Sequence, residues 1–402
     1  MRARPEIFLL LLVGALGCVR EEREPAARTA APAAISPPNE QELIPSDNER
    51  NERNERHKPV EEGMPGPHRR RLEAAVALNA TCEACHKDEA DEWRRSRHRE
   101  SNTNAAYRAA FAIEPSAFCR SCHAPEADPI KIPPRAVSEL GVGCVTCHVT
   151  DEGLVLAAAS FQGNAPHPLK RSVDFARTGG CSGCHEFRFP GAIGHEDGHF
   201  MQTTAREHES SPGAEKACAD CHMPLVAGRR SHAFAAVRDP AWLRENLQVT
   251  ASLSAEDNSA KNNPENAKNR VRVTLVQPDP GHAFPTGDLF RRLEVGCEIR
   301  DASGKVVQRE VRHLARHFEI LPGRSGRVLV RDDRVFDEPN VVEFELAPPE
   351  RRPATVAWWV SLQRVATVGT GANPADAKIE SSVPLHSGVL PWELSERSER
   401  EP

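Results

Sequence analysis

Five copies of Cys-x-x-Cys-His constrain this chain more than any other feature. They read CEACH at 82–86, CRSCH at 119–123, CVTCH at 144–148, CSGCH at 181–185 and CADCH at 218–222. From first cysteine to first cysteine the spacing is 37, 25, 37 and 37 residues. The segments between motifs do not resemble one another, so this is no strict repeat. None holds an apolar stretch long enough for an ordinary helical or sheet core. The motifs take ten of the twelve cysteines and leave Cys18 and Cys297.

Three chemistries use such pairs. A structural zinc site joins two half-sites and needs no histidine fixed after each second cysteine; five copies would leave one half-site alone. Thioredoxin-like chemistry uses one active pair in a βαβ setting, which is missing here. Covalent haem attachment needs this arrangement. Two thiols add to the vinyl groups of the porphyrin, and the adjacent histidine lies beneath the iron. Cys82, Cys85, Cys119, Cys122, Cys144, Cys147, Cys181, Cys184, Cys218 and Cys221 are therefore expected to hold five haem c groups. His86, His123, His148, His185 and His222 are their proximal ligands, and the porphyrins take the place of a side-chain core.

The N-terminus predicts export. Arg2 and Arg4 precede an apolar run from Ile7 to about Leu16, too short to span a membrane. Residues 1–17 read as a signal peptide. "ALGC" resembles a bacterial lipobox, with Ala15 where leucine is usual, and ordinary signal peptidase competes for Ala15 and Gly17. We expect lipidation at Cys18, because ordinary cleavage leaves a free exposed thiol. The expected location is the bacterial envelope, in the periplasm or on the outer membrane, with the membrane reached through the lipid anchor. Residues 18–72 read as a disordered tether, rich in Pro, Ala and mixed charge, with a short NER repeat. At 5–6 Å × √n it would hold the domain about 40 Å from its anchor.

The expected fold class is α+β. Residues 73–245 form a mainly α and irregular, haem-packed domain. Residues 246–375 change character: "NRVRVTLVQ", "RRLEVGCEIRD", "GKVVQREV", "RVLVRD", "VVEFELA" and "ATVAWWVSL" are period-two or β-branched runs broken by Gly, Pro, Asn and Asp. "LQVTASLSA" supplies a further strand. Six or seven such strands predict an antiparallel β-sandwich. Leu293, Val295, Cys297 and Ile299 alternate onto one face, which makes Cys297 a core thiol. Residues 376–402 read as a polar tail. Lys+Arg 52 against Asp+Glu 58 gives a net charge of −6 with no basic stripe, so no nucleic-acid partner is expected.

"CEACHKDEADEWRRSRH" (82–98), then CRSCH, then "GVGCVTCH", resembles the multihaem cytochromes of the c-552/c-554 type. "CADCHMP" (218–224) and "GHAFPTG" (281–287) resemble motifs of larger bacterial relatives that end in a β domain. The chain departs from the tetrahaem members in its fifth motif and its β region, which leaves the substrate open.

Few methionines are available as sixth ligands, only Met64, Met201 and Met223 beyond Met1, so bis-histidine ligation should dominate. The resemblance implies that His98 ligates the third haem and His167 the first. His232, following CHMP, is expected to cap the fourth. His282 in "GHAFPTG" is expected to complete the fourth or fifth from the β region. His195, His199 and His208 read as loop residues, and His313 and His317 as surface residues. For the second haem the sequence offers no clear sixth ligand. The relatives carry a five-coordinate haem there.

Two functions follow. One is electron transfer to redox partner proteins through closely spaced haems. The other is a reductase or oxidase of a small nitrogen or sulfur compound at one open haem. Related multihaem enzymes mark that haem with a lysine in place of the proximal histidine or with a tyrosine cross-link. The sequence has no CxxCK and one tyrosine, Tyr107, so electron transfer is the expectation. A β-sandwich binding module that merely carries haems is a third class, without binding residues to name.

Overall fold

A computed structural model describes residues 65–67, 69–190, 197–234, 239–255, 269–319, 328–347, 349, 353–366 and 377–392. The signal segment, Cys18 and His195 lie outside the described residues. All described residues fall in one unit, His57–Pro402.

The first part is built from short helices: α1 (Ala75–Cys85), α2 (Lys87–Arg94), α3 (Ala105–Ile113), α4 (Ala117–His123), α5 (Arg135–Leu140), α6 (Cys144–His148), α7 (Ser182–His185), α8 (Thr204–Glu209) and α9 (Cys218–His222). Three two-stranded pairs lie among them: β1 (Val155–Ala158) with β2 (Leu169–Ser172), β3 (Glu186–Arg188) with β4 (Phe200–Thr203), and β5 (Leu225–Val226) with β6 (Arg229–Arg230). Helices this short are marginal alone and take their stability from packing. Caps help: the Asn104 side chain accepts the Tyr107 N–H at 2.9 Å and starts α3, and Ser116 does the same for Phe118 in α4. The buried apolar cluster here is small: Ala75, Trp93, Leu140, Val145 and Val149.

The tether ends earlier than expected. Residues from Pro65 onward pack on the helices. The Arg69 guanidinium pairs with buried Glu126 and donates to the Val145 carbonyl at 2.9 Å. Leu72 N–H also donates to Glu126. A buried carboxylate needs such partners, and the third motif adds one, the Thr146 hydroxyl, which donates to Glu126 at 2.9 Å.

After α10 (Pro240–Glu245), opened by Asp239 as cap and Pro240 at the first position, the chain becomes β. A three-stranded antiparallel sheet has the order β13–β8–β7, and a four-stranded one the order β10–β9–β14–β15. The strands are β7 (Gln248–Ala255), β8 (Asn269–Val276), β9 (Arg291–Asp301), β10 (Val306–Leu314), β13 (Asn340–Leu346), β14 (Ala354–Val365) and β15 (Ile379–Pro391). A separate pair joins β11 (Arg316–Glu319) to β12 (Val328–Asp332). Both main sheets feed one hydrophobic core: Val271, Val273 and Leu275 from β8, Leu293, Val295, Cys297 and Ile299 from β9, Phe344 and Leu346 from β13, and Val356 and Val360 from β14. Cys297 is fully buried, and burial pushes its thiol up to about 12. Gly296 faces the Trp359 indole so closely that a side chain there would overlap the ring.

The polar-tail expectation is corrected at 379–391, which forms β15, paired with β14 along most of its length. Only Leu385 in β15 is buried, so a half-solvated edge strand with Ser, Glu and His read as loose chain. His386 is tied in as well, 2.6 Å from the Leu247 carbonyl.

Candidate haem-binding site

Each motif occupies about one helical turn, which sets its two cysteines three apart on the same face. Cys82 and Cys85 end α1, with His86 as its cap. Cys119, Cys122 and His123 close α4. The third and fifth motifs are the whole of α6 and α9. The fourth forms α7 with Cys181 as cap. All ten cysteines are free thiols. Burial holds Cys144 and Cys147 up at about 12. Among the described residues, no three or more His, Cys, Asp or Glu side chains converge to hold one metal ion.

What converges instead are pairs of imidazoles. His86 and His167 have ring centres 6.3 Å apart, His98 and His185 6.2 Å, His148 and His232 6.1 Å, and His222 and His282 6.0 Å. A metal–imidazole bond is about 2.0 Å and the ring centre lies about 1 Å beyond the nitrogen, so two coaxial ligands on one ion stand about 6 Å apart. Four of the five motif histidines thus face a second imidazole at the span of a bis-histidine iron.

The hydrogen bonds agree. His148 Nδ1–H donates to the Leu156 carbonyl at 2.9 Å, His232 to Arg230 at 3.0 Å, and His282 to Ala283 at 3.1 Å. His123 does so to Ser101 at 2.7 Å. A carbonyl on Nδ1 fixes the tautomer and leaves the Nε2 lone pair for a metal. Nδ1 of His98 and of His167 is buried without a hydrogen-bond partner. Burial lowers His98 to about 4, with His232 adding to it, and His222 to about 4, with His282 adding. Burial, then His98, lowers His185 to about 3. These imidazoles are neutral at pH 7, the form that ligates. The residues present therefore fit haem c.

Two partners are exchanged relative to the sequence expectation. His98 faces His185 of the fourth motif rather than His148 of the third. His232 faces His148 rather than His185. Local packing explains both. Gly141 of "GVGC" (φ +59°) comes so close to the His98 backbone that an added Cβ would lie 2.5 Å from the His98 carbonyl. Val142 N–H donates to that carbonyl at 2.9 Å, and Trp93 Nε1–H donates to Val142 O at 2.7 Å. These contacts set His98 in place beside the third motif while its ring points at the fourth. His232 follows the β5–β6 hairpin, which Glu92 captures: its carboxylate accepts two N–H groups of Arg229 and the His232 backbone N–H. Arg229 and these N–H bonds hold Glu92 down at about 2. His167 and His282 face the first and fifth motifs.

His123 differs. Among the described residues the ring that stacks on it is that of Tyr107, nearly parallel at 4.1 Å. The Tyr107 hydroxyl is buried and unpaired, and burial raises it to about 12. Sequence reasoning missed Tyr107 as a neighbour of this motif, and missed Glu92 and Glu207 as supports. His208, expected in a loop, is buried. His313 and His317 are half-buried beside Glu294 and Asp333. Carboxylates are common in solvated helices, and nothing in their spacing marks those that turn inward.

The motifs also touch one another. The Cys181 thiol is hydrogen-bonded to Cys218, which holds Cys218 down at about 7, and Cys184 to Cys122. Cys147 feels Cys184, and Cys144 feels Cys82. The fourth motif therefore adjoins the second and fifth, and the helix that carries the first motif packs against that of the third.

Residues 81–149 match the family described as cytochrome c554 and c-prime. A penta-haem cytochrome c552 from Thermochromatium tepidum has the same fold, with a TM-score of 0.56 at 18% identity, covering 80% of this chain and 99% of that one. The ApaA protein from Bordetella pertussis aligns over 36% of this chain and 91% of its own at 11% identity, with a TM-score of 0.18 that carries no argument. No curated protein matches. The family match is confined to residues 81–149, and the structural likeness shows a shared fold.

Proposed function

We propose that this chain is an exported, lipid-anchored pentahaem c-type cytochrome that transfers electrons. The observation that carries it is the set of four imidazole pairs 6.0–6.3 Å apart, each pairing a motif histidine with another histidine. Bound haem supplies one-electron chemistry. The ten motif cysteines hold it covalently, and His86, His148, His185 and His222 ligate opposite His167, His232, His98 and His282. Paired imidazoles lower the potential relative to His/Met ligation. The contacts between motifs support a path through the fourth motif, which is linked to the second and fifth. We read the two antiparallel sheets as the layers of a β-sandwich. Residues 1–17 serve as signal peptide, Cys18 as lipid anchor in the periplasm or on the outer membrane, and redox proteins as partners. Among the described residues no helix is long and apolar enough to cross a membrane.

Intact mass of the exported protein tests the haem count. Five haem masses above the apoprotein are expected, and four or fewer refute it. Replacing Cys18 with Ser is expected to move the protein from the membrane fraction to soluble export. A wild type already soluble refutes the anchor.

A second reading, reduction or oxidation of a small nitrogen or sulfur compound at the second motif, is favoured by one observation. Tyr107, with an unpaired buried hydroxyl, is stacked on the face of the His123 ring, and among the described residues no second imidazole faces His123 as one faces each of the other motif histidines. Low-temperature EPR of the oxidised protein separates the two. An all-low-spin spectrum supports pure electron transfer, and a high-spin signal supports the enzyme.

A further inference from the structure

The imidazole opposite His222 comes from the β region, and the two segments that flank this pair are tied together by residues outside both motifs. Glu207 and His208, adjacent in α8, are each 8% exposed. The Glu207 carboxylate accepts the Ala283 N–H at 3.3 Å, the Thr286 hydroxyl at 2.7 Å and an Arg334 N–H at 2.8 Å. It thereby holds the stretch immediately after His282. The His208 ring spans the other side. Its Nδ1 lies 2.8 Å from the Gly281 carbonyl, one residue before His282, and its Nε2 lies 2.9 Å from the Lys216 carbonyl, two residues before Cys218. Gly213 N–H donates to Pro280 O at 3.2 Å, and Lys216 pairs with Asp279.

We infer that Glu207 and His208 are positioning residues for the His222–His282 pair. They brace the chain that carries the distal imidazole against the chain that carries the fifth motif. The inference rests on reading that pair as the axial ligands of the fifth haem. The physical case is one of leverage. A ligand delivered by a loop must be held to within about 0.5 Å of its productive position by groups that are themselves fixed. His282 has its Nδ1 on Ala283 O and its carbonyl accepting from Gln277 at 3.0 Å. Both of those bonds belong to the β region and would move with it. The bonds that tie the residues adjoining His282, Gly281 and Ala283, to the motif side run through His208 and Glu207. Loss of the Glu207 carboxylate leaves Arg334 still paired with Asp332 at 2.7 Å, so the change does not strand a buried cation.

The test compares holoprotein variants of the full chain by EPR of the oxidised form and by carbon monoxide binding on reduction. Glu207→Ala is expected to add up to one high-spin, carbon monoxide-reactive haem to the parent's count and to raise the potential of one haem. Glu207→Gln, which keeps acceptor oxygen for Ala283 and Thr286, is expected to restore most of the parent spectrum. His282→Ala runs in parallel. If it adds one high-spin haem while Glu207→Ala matches the parent, the brace is refuted. If His282→Ala itself matches the parent, the axial reading beneath it is refuted. Where Glu207→Ala gives no haem-loaded protein, Thr286→Val removes a single donor. A rise in the carbon monoxide-reactive fraction supports the brace, and a parent-like response overturns it.

Discussion

The motif region and the β region solve the problem of an interior in opposite ways. The β region closes two sheets over a side-chain core in which Leu293, Val295, Val356, Val360 and Phe344 have no exposed surface. The motif region packs only Ala75, Trp93, Leu140, Val145 and Val149 into a cluster, and its motif thiols and imidazoles stay half-buried or, at Cys85, Cys221, His86 and His185, exposed. A core of the first kind needs nothing beyond the chain. One of the second kind is complete only with something large and apolar between the paired histidines. Residues that read as structural in one region would therefore be wrongly assigned in the other: the buried thiol Cys297 is core, while Cys147 is a proposed attachment point.

Withholding haem should break the comparison most strongly. Protein secreted without haem attachment is expected to lose amide-exchange protection throughout 75–190, 197–234 and 239–247 while keeping it across 269–319, 340–347, 353–366 and 377–391. Equal protection in both regions would show that the motif region has a sufficient core of its own. Next in size is Leu293→Ala. A fully buried leucine truncated in a packed core costs about 2–5 kcal/mol, measurable as a shifted denaturant midpoint by tryptophan fluorescence, with four of the haems unchanged in spectrum. Loss of all haem spectra together would mean that the β region also holds up the motif region. Gly141→Ala introduces a side chain at φ +59° and against the His98 carbonyl, a strain of about 1–3 kcal/mol. It is expected to perturb one low-spin signal, that of the His98–His185 pair, and an unchanged spectrum would remove Gly141 as its support. The smallest effect is expected for Cys297→Ser. A hydroxyl without a partner in the β core costs about 1–3 kcal/mol and should leave every haem signal as it was; a changed haem spectrum would give Cys297 a role that its burial denies.

Much of the β region was legible because period-two alternation marks a half-buried strand wherever it occurs. β8, β9, β13 and β14 fall where the pattern puts them. β15 was not legible, since it buries Leu385 alone and its other side chains are polar or half-solvated. The contacts of Pro65–Leu72 were equally hidden, because the partner that recruits Arg69, buried Glu126, lies far along the chain and looks like any surface carboxylate.

The proposed attachment sites were legible in the sequence alone. Thioether formation and proximal ligation need five consecutive residues in one helical turn, so the chemistry is local and any fold that forms the turn preserves it. The opposite ligands are a different matter. His98 with His185, His148 with His232, and His222 with His282 join distant parts of the chain, and the choice of partner follows from where Gly141 lets backbone approach, where Glu92 captures a hairpin, and where Glu207 holds a loop of the β region. Such contacts leave no periodicity and no spacing in the sequence. A ring on a flexible side chain can point at either of two neighbouring motifs, and only the packed backbone decides which of them lies about 6 Å away.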